Sequence, residues 1–302
     1  MSAQPIITIR PLTEIDEFQA AEAVQRAVWP GPDLDVVPLH LLTTIAHNGG
    51  LVLGAYHGHR MVGYLLGFLG TDEAQPSRPA LARLKHCSHQ LGVLPEYRGQ
   101  HIGYQLKLTQ RDYVNAQGVR LITWTYDPLL SRNARLNIAQ LGAVCNTYKR
   151  EVYGAMQDGL NHGLPSDRFQ VDWWITSPRA QERLFGRRAP LVLNSFTSAG
   201  APVLNPSLPG PDGLPRPTAN AAAPAGTLAL LEIPSDFQAI KARDLALAAD
   251  WRQHTRALFE SAFSNGYLVT DFFHEPLDGR QRSFYALSGG GGPRLEFTDN
   301  QP

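Results

Sequence analysis

The sequence predicts an α/β fold of the α+β kind: a central mixed, twisted sheet flanked by helices, followed by a C-terminal β-α-β-β module. Three observations predict it. Short apolar runs alternate with stretches of helical period through the N-terminal part of the chain. One run, "LGVLPEYRGQHIGYQLKLTQRDYVNAQG" (residues 91–118), passes from a strand into a helix through an Arg-Gly turn. The composition then changes near Leu193, where Pro, Gly, Ala and Ser dominate before regular periods return.

Taken in order, "IITIRPL" reads as a strand, and Thr13 is the expected cap of "TEIDEFQAAEAVQRAVW", with Asp16 three residues on as in a capping box. Ile15, Phe18, Ala21, Ala23 and Val28 give that helix an apolar face. "GPDLDVVP" breaks it, and "LHLLTTIAH" forms a second short helix ending at Gly49-Gly50. "LVLGAYH" and "RMVGYLLGFL" make a hairpin across "HGHR". After the loop "GTDEAQPSRP" comes a fourth strand, "HCSHQLGVL", then the helix of the quoted run, the strand "RLITWTY" and a helix from about Ser131 to Leu141. "AVCNTYKREVYG" and "RFQVDWWI" complete a β-α-α-β-β-β-α-β-α-β-β order. Residues 1–190 are therefore expected to form one domain and 191–225 a long Pro/Gly/Ala-rich linker. Residues 226–302 are the module: "LALLEIP", an amphipathic helix with Trp251, Thr255, Leu258, Phe259 and Ala262 on one face, and the strands "YLVTDFF" and "SFYALS". So small a module is marginal alone and is expected to dock on the rest of the chain or on another subunit.

Bulk composition excludes several function classes. Lys plus Arg equals Asp plus Glu at 27 each, so no global field recruits nucleic acid or an anionic membrane. Cys87 and Cys145 are the only cysteines, too few for a disulfide framework. The start "MSAQPIITIRPL" has no signal-peptide pattern, and "MVGYLLGFLG" is too short to span a bilayer. A cytoplasmic protein is expected.

The first N–H groups of a helix lack intrahelical partners and favour an anion, so the 98–104 junction is a candidate phosphate seat. Arg98-Gly99-Gln100-His101-Ile102-Gly103 resembles the acetyl-CoA signature of the GNAT superfamily of N-acyltransferases, R-x-x-G-x-G/A. Its setting, a strand ending at "LGV" and a helix starting inside the motif, and the order of elements over residues 5–177 carry the same resemblance. "WTYDPLLSRNARLNIAQLGA" and "LPSDRFQVDWW" are similar to a little-characterised bacterial subgroup of that superfamily with a C-terminal extension. The module's order repeats the order that closes such a domain, as a degenerate half-copy would; a separate binding module is the alternative.

The resemblance implies the GNAT fold, acetyl-CoA as acyl-donor substrate with no metal, and a small-molecule or peptide amine as acceptor, with a homodimer left open. It implies that the main chain of Leu91, Gly92 and Val93 meets the pantetheine arm in a gap between the fourth and fifth strands. Arg98, Gly99, Gln100, His101, Ile102, Gly103 and Tyr104 would hold the pyrophosphate, and Asn133 is a further candidate contact. His101 departs from the family pattern, which has glycine there, so its side chain could narrow the seat.

An amine must lose its proton before it attacks a thioester. "CSHQLGVLPEYRGQHIG" is similar to the corresponding part of the arylalkylamine N-acetyltransferases, which makes His89 the candidate base; a second histidine of that family falls on Cys87 and is lost. Asp72 and Glu73 are alternative bases. The family's acid is often a tyrosine on the helix after the fifth strand, where this chain has Ile138, so Tyr148, Tyr153 and Tyr126 are the substitutes considered. His86, Cys87, His89, His57 and His59 are metal-ligand types, but strand alternation turns His86 away and no metal motif supports them. Two functions compete: direct acetyl transfer in a ternary complex, and CoA binding by a regulatory or scaffolding protein that has lost catalysis.

Overall fold

The computed structural model describes residues 6–73, 76–154, 162–186, 191–219 and 221–289. Readings that rest on the first five residues, on position 190 or on the tail from 290 lie outside these. Strand β1 (Ile7–Pro11) leads to helix α1 (Ile15–Val28). The cap is Glu14 rather than Thr13, and Glu17 rather than Asp16 closes the box, because the Glu17 carboxylate reaches the N–H groups of both Thr13 and Glu14. Helix α2 (Leu39–His47) follows, then the hairpin β2 (Leu51–His57) and β3 (Arg60–Thr71), turned at Gly58 with φ 60°. Strand β4 (Leu84–Val93), helix α3 (Ile102–Ala116) and strand β5 (Leu121–Tyr126) are next. Helix α4 (Ser131–Ala134) runs on into a π-helical stretch, Arg135–Gln140, so the second half of the expected helix has the wider winding.

Strands β6 (Val144–Lys149) and β7 (Arg168–Trp174) precede helices α5 (Pro178–Phe185) and α6 (Leu193–Ser198) and the two-residue strands β8 (Leu208–Pro209) and β9 (Pro215–Arg216). The chain continues through β10 (Leu228–Ile233), α7 (Phe237–Arg243), α8 (Leu245–Ser264), β11 (Leu268–Leu277) and β12 (Arg280–Ser288). Helix α7 was not evident from periodicity. Asp236 caps it through the Ala239 N–H at 3.0 Å, and Asp244 starts α8 in the same way through Leu247 at 2.9 Å. Among the described residues no helix is long and apolar enough to cross a membrane.

The described residues fall into two compact units: unit 1 within 1–125, 151–166 and 172–181, and unit 2 within 126–150, 167–171 and 182–302. In unit 1, β1, β2, β3 and β4 pair antiparallel in that order and β5 joins β4 in parallel, giving a mixed sheet. Its core gathers Phe18 and Val24 of α1, Leu42 of α2, Tyr64, Leu65 and Leu66 of β3, and Leu106 of α3.

Unit 2 has an antiparallel sheet in the order β6-β11-β12-β10. Phe259 of α8 packs edge-on to Phe169 with centroids 4.6 Å apart, and both meet Tyr285 of β12. The segment expected from composition to be a bare connection is packed into this unit: Leu193, Phe196, Leu204, Asn205, Ser207 and Leu214 are buried. Hydrogen bonds do what apolar period does elsewhere. The Trp251 indole donates to Pro215 O at 2.8 Å, and Ser207 donates twice to Glu232, at 2.7 Å each.

Buried ion pairs tie α8 down. Arg252 donates to both oxygens of Asp127 (2.9 and 2.5 Å), and Arg256 to both of Asp167 (2.7 and 2.9 Å). Asp127→Ala strands the Arg252 guanidinium in the interior and should lower stability by roughly 3–5 kcal/mol. The urea midpoint checks it: a shift within error of zero would mean that the pair is not buried in solution.

Candidate active site

Strand β4 is held by β3 along its length but by β5 at only one end. Gln90 stands opposite Leu66 and Ser88 opposite Gly67, so His89 is an extra residue, a bulge that bends the strand. On the other edge, His86 pairs with Ile122 and Cys87 with Thr123, and there the parallel ladder stops. From Ser88 onward β4 and β5 part. Leu91, Gly92 and Val93 pair with Leu65, Tyr64 and Gly63 of β3, while their other edge faces the gap without a β5 ladder. Gly92 is fixed by packing: a Cβ there would lie 3.2 Å from the Trp29 ring of the residue that ends α1.

Helix α3 begins beyond the wide end of the gap. Its N-cap residue, His101, has φ 59° and ψ 12°, and no side chain caps the helix. The first-turn N–H groups of Ile102, Gly103 and Tyr104 therefore keep their donors for a ligand or solvent. The left-handed conformation explains why the family pattern has glycine at position 101. Histidine adopts it here at a steric cost, with its side chain exposed. Gly99 has φ 83°, also left-handed, and Arg98 Nε donates to Val93 O at 3.2 Å, fastening the turn to the end of β4.

The two faces of the sheet around this gap differ. Toward α3 lie His86, Ser88 and Trp124: Lys107 of α3 donates to Ser88 Oγ at 2.8 Å, and its Nζ sits 3.5 Å from the Trp124 ring centroid. Trp173 meets Trp124 edge-on at 6.0 Å on the same side. By alternation Thr123, Thr125 and Asp172 point to the opposite face. Cys87 lies there too, beside Phe68, whose ring is 6.0 Å from that of His89.

His89 is exposed, yet the protein around it desolvates the ring and lowers its pKa, so it is neutral at neutral pH and able to accept a proton. Tyr153, 48% exposed, shares a 2.8 Å hydrogen bond between its hydroxyl and that of Thr125. Tyr148 belongs to unit 2, where its hydroxyl donates to Asp167 at 2.7 Å; burial first, and then the carboxylate, raises its pKa. Tyr126 is buried against Tyr285, 3.0 Å between hydroxyls, and Ile138 is fully buried. Asn133, also in unit 2, is half-buried on α4. Asp72 accompanies Asp172 electrostatically. Among the described residues no group of three or more His, Cys, Asp or Glu could hold a metal ion.

Two residues of this region were missed by sequence reasoning. Lys107 lies on the buried side of α3 with Ile102, Leu106, Gln110 and Val114, and a lysine inside an apolar stripe was the available signal. Asp172 lies in "RFQVDWW", where alternation marks it only as facing away from Trp173. Burial, and then Asp72, raise its pKa to about 6 against a smaller opposing influence from Lys85.

No family model matches the chain, and no curated protein matches it. Solved structures similar to it include Arabidopsis thaliana NAA60 in complex with acetyl-CoA, at 15% identity and TM-score 0.45, covering 56% of this chain and 100% of that one. The ribosomal-protein-S18-alanine N-acetyltransferase of Escherichia coli is similar at 14% identity and TM-score 0.40, covering 57% and 96%. Arabidopsis thaliana Naa50 in complex with a bisubstrate analogue is similar at 16% identity and TM-score 0.42, covering 55% and 97%. Scores and identities this low assign no family, and the functional reading rests on the geometry of the gap.

Asp172 gives a pH-dependent stability prediction. Its folded pKa, about 6, lies above the roughly 3.9 of an unfolded aspartate, so the folded chain holds that proton more tightly. Its contribution is fully present below about pH 4 and is lost as pH rises through 6. Asp172→Asn should therefore be more stable than the parent at pH 7–8 by roughly 1–3 kcal/mol, with no gain below about pH 4. Urea unfolding across that range is the check; a gain that does not vary with pH would contradict it.

Proposed function

We propose that the chain is an acyl-CoA-dependent N-acyltransferase of the GNAT type, transferring acetyl from acetyl-CoA to an amine by direct attack in a ternary complex. One observation carries the reading: β4 leaves β5 after Cys87, and the gap opens toward an uncapped helix N-terminus. An extended amide-bearing arm suits the free edge of Leu91, Gly92 and Val93. A pyrophosphate suits the N–H groups from Gly99 to Tyr104, with Arg98 adding positive charge. Asn133 stays with the proposal as a further contact for the donor.

His89 is the proposed base. It takes the proton of the acceptor ammonium, the freed amine attacks the thioester carbon, and the carbon–sulfur bond breaks with its electron pair on sulfur. Tyr153 is the proposed acid for the departing thiolate, since its hydroxyl lies with Thr125 on the His89 face. Tyr148, whose proton is already directed at Asp167, is the weaker candidate. The acceptor is a small-molecule or peptide amine. The competing reading, a CoA-binding regulatory or scaffolding protein, is favoured by the apolar Ile138 where the family's tyrosine stands; it requires CoA binding without turnover.

Acetyl-CoA should raise the melting temperature, as any ligand of the native state does. Gly103→Pro should abolish the shift while the fold survives, because the first helical turn tolerates proline but loses a donor N–H. A folded Gly103→Pro protein that binds CoA normally would remove the assignment.

His89→Ala should lower turnover at neutral pH by roughly a hundredfold or more, with the acetyl-CoA melting shift retained. The deficit should narrow at high pH, where the amine deprotonates unaided. Activity unchanged at every pH would make His89 a packing residue; melting shifts with no turnover in the parent protein would favour the binding reading.

A further inference from the structure

The apex of the gap holds an amine for which the proposed reaction has no use. Lys107 is 3% exposed, and its Nζ donates to Ser88 Oγ at 2.8 Å and to Gln110 Oε1 at 3.2 Å, 3.5 Å from the Trp124 ring centroid. Ser88 is the first β4 residue beyond the last ladder pair, and Trp124 holds the same position on β5. The amine thus bridges the two strands where they part, the end toward which an acyl arm entering at α3 must point.

The Trp124 ring and Cys87 favour its charged form, and burial works against it. None of its hydrogen-bond acceptors is a carboxylate, and burial holds its pKa well below that of an ordinary lysine, with Cys87 only a lesser opposing influence. Burial thus shifts it toward the neutral, nucleophilic form relative to a solvated lysine. Its surroundings are polar and incompletely paired. Both ring nitrogens of His86 and Nε2 of Gln110 are buried without partners, and each residue is 0% exposed. His86 is kept neutral, its pKa pushed down to about 4, chiefly by burial. Gly67 makes the space: a Cβ there would lie 2.2 Å from His86 Nε2 and 2.9 Å from Gln110 Nε2.

Resting on the acyl-CoA reading above, we propose that Lys107 is an internal acyl acceptor, modified on Nζ by the thioester seated in the gap. The Nζ lone pair attacks the thioester carbon and a carbon–nitrogen bond forms. The carbon–sulfur bond then breaks with its electrons on sulfur, and a proton from the nitrogen passes to the thiolate, giving CoA. The unpartnered Gln110 Nε2 is the available donor for the carbonyl oxygen as charge develops on it. The product is a neutral amide, which a buried site holds more readily than an ammonium ion. It also fills the apex, so each modified chain is blocked to further transfer.

The chain has four lysines, Lys85, Lys107, Lys149 and Lys241, so a peptide map separates this site from general chemical acylation. Full-length protein incubated with acetyl-CoA at neutral pH should gain one acetyl group, on Lys107, at least about tenfold faster than on any other lysine. Excess CoA should suppress it. Lys107→Met, close in volume and without the amine, should remain folded, keep the acetyl-CoA melting shift and lose the label; Gly67→Ala should slow labelling by crowding His86 and Gln110. If acetyl-CoA raises the melting temperature but Lys107 stays unmodified, or the label spreads evenly over the four lysines, the inference falls and the CoA reading stands. If there is neither shift nor label, both fall.

Discussion

The constraint on which the rest of unit 1 depends is a parallel ladder that ends after Cys87. Backbone N–H and C=O groups inside a sheet need partners, and a strand edge left open between two strands is costly unless water or a ligand fills it. The bulge at His89 is the local cause. It adds a residue to β4 against β3, increases the twist, and carries the strand away from β5. The same bend leaves Ser88 on the α3 side and His89 on the other, so a single irregularity opens the gap and sets which chemistry meets it from each face.

Much of this frame was legible in the sequence because it depends on local rules. A strand running into Arg98-Gly99 and then into an amphipathic helix has few ways to fold, and "HGHR" marks its turn by chemistry. What was not legible depends on tertiary contact. Strict alternation along "HCSHQLGV" separates His86 from His89 but does not reveal that His89 is bulged, since a bulge is defined by the partner strand. The stripe on α3 puts Lys107 among apolar residues, but its partners, Trp124 and Ser88, come from the strands β5 and β4, and no local rule names them. The cap differs from the Thr13–Asp16 expectation because the Glu17 carboxylate, one methylene further out than that of Asp16, accepts from the N–H groups of both Thr13 and Glu14.

Unit 2 shows the limit of reading composition as structure. Pro-rich residues between 191 and 225 have no apolar period, but period is only one way to hold a chain. Asn205 pairs with the main chain of Glu232, and Ser207 donates to its buried carboxylate, which also receives two hydrogen bonds from Arg282, at 2.9 and 2.6 Å. A carboxylate so fully paired organises several segments at once, whereas breaking any one contact leaves a buried charge short of partners. Asp127 and Asp167 do the same for α8. Sequence shows the charges without showing which of them are buried.

Three residues that break local rules in unit 1 lie beside the gap. His101 takes a left-handed conformation that favours glycine, Lys107 is a lysine without a carboxylate among its acceptors, and His86 keeps both nitrogens unpartnered. His86 is on β4, His101 caps α3 and Lys107 is in its second turn, and these two elements border the gap. Each costs stability: left-handed strain of about 1–2 kcal/mol at one, desolvation at the others. A packed fold has easy remedies, glycine at 101 and apolar side chains at 86 and 107. The proposed function accounts for these costs, since all three residues stand where β4 parts from β5 or at the helix that faces the gap.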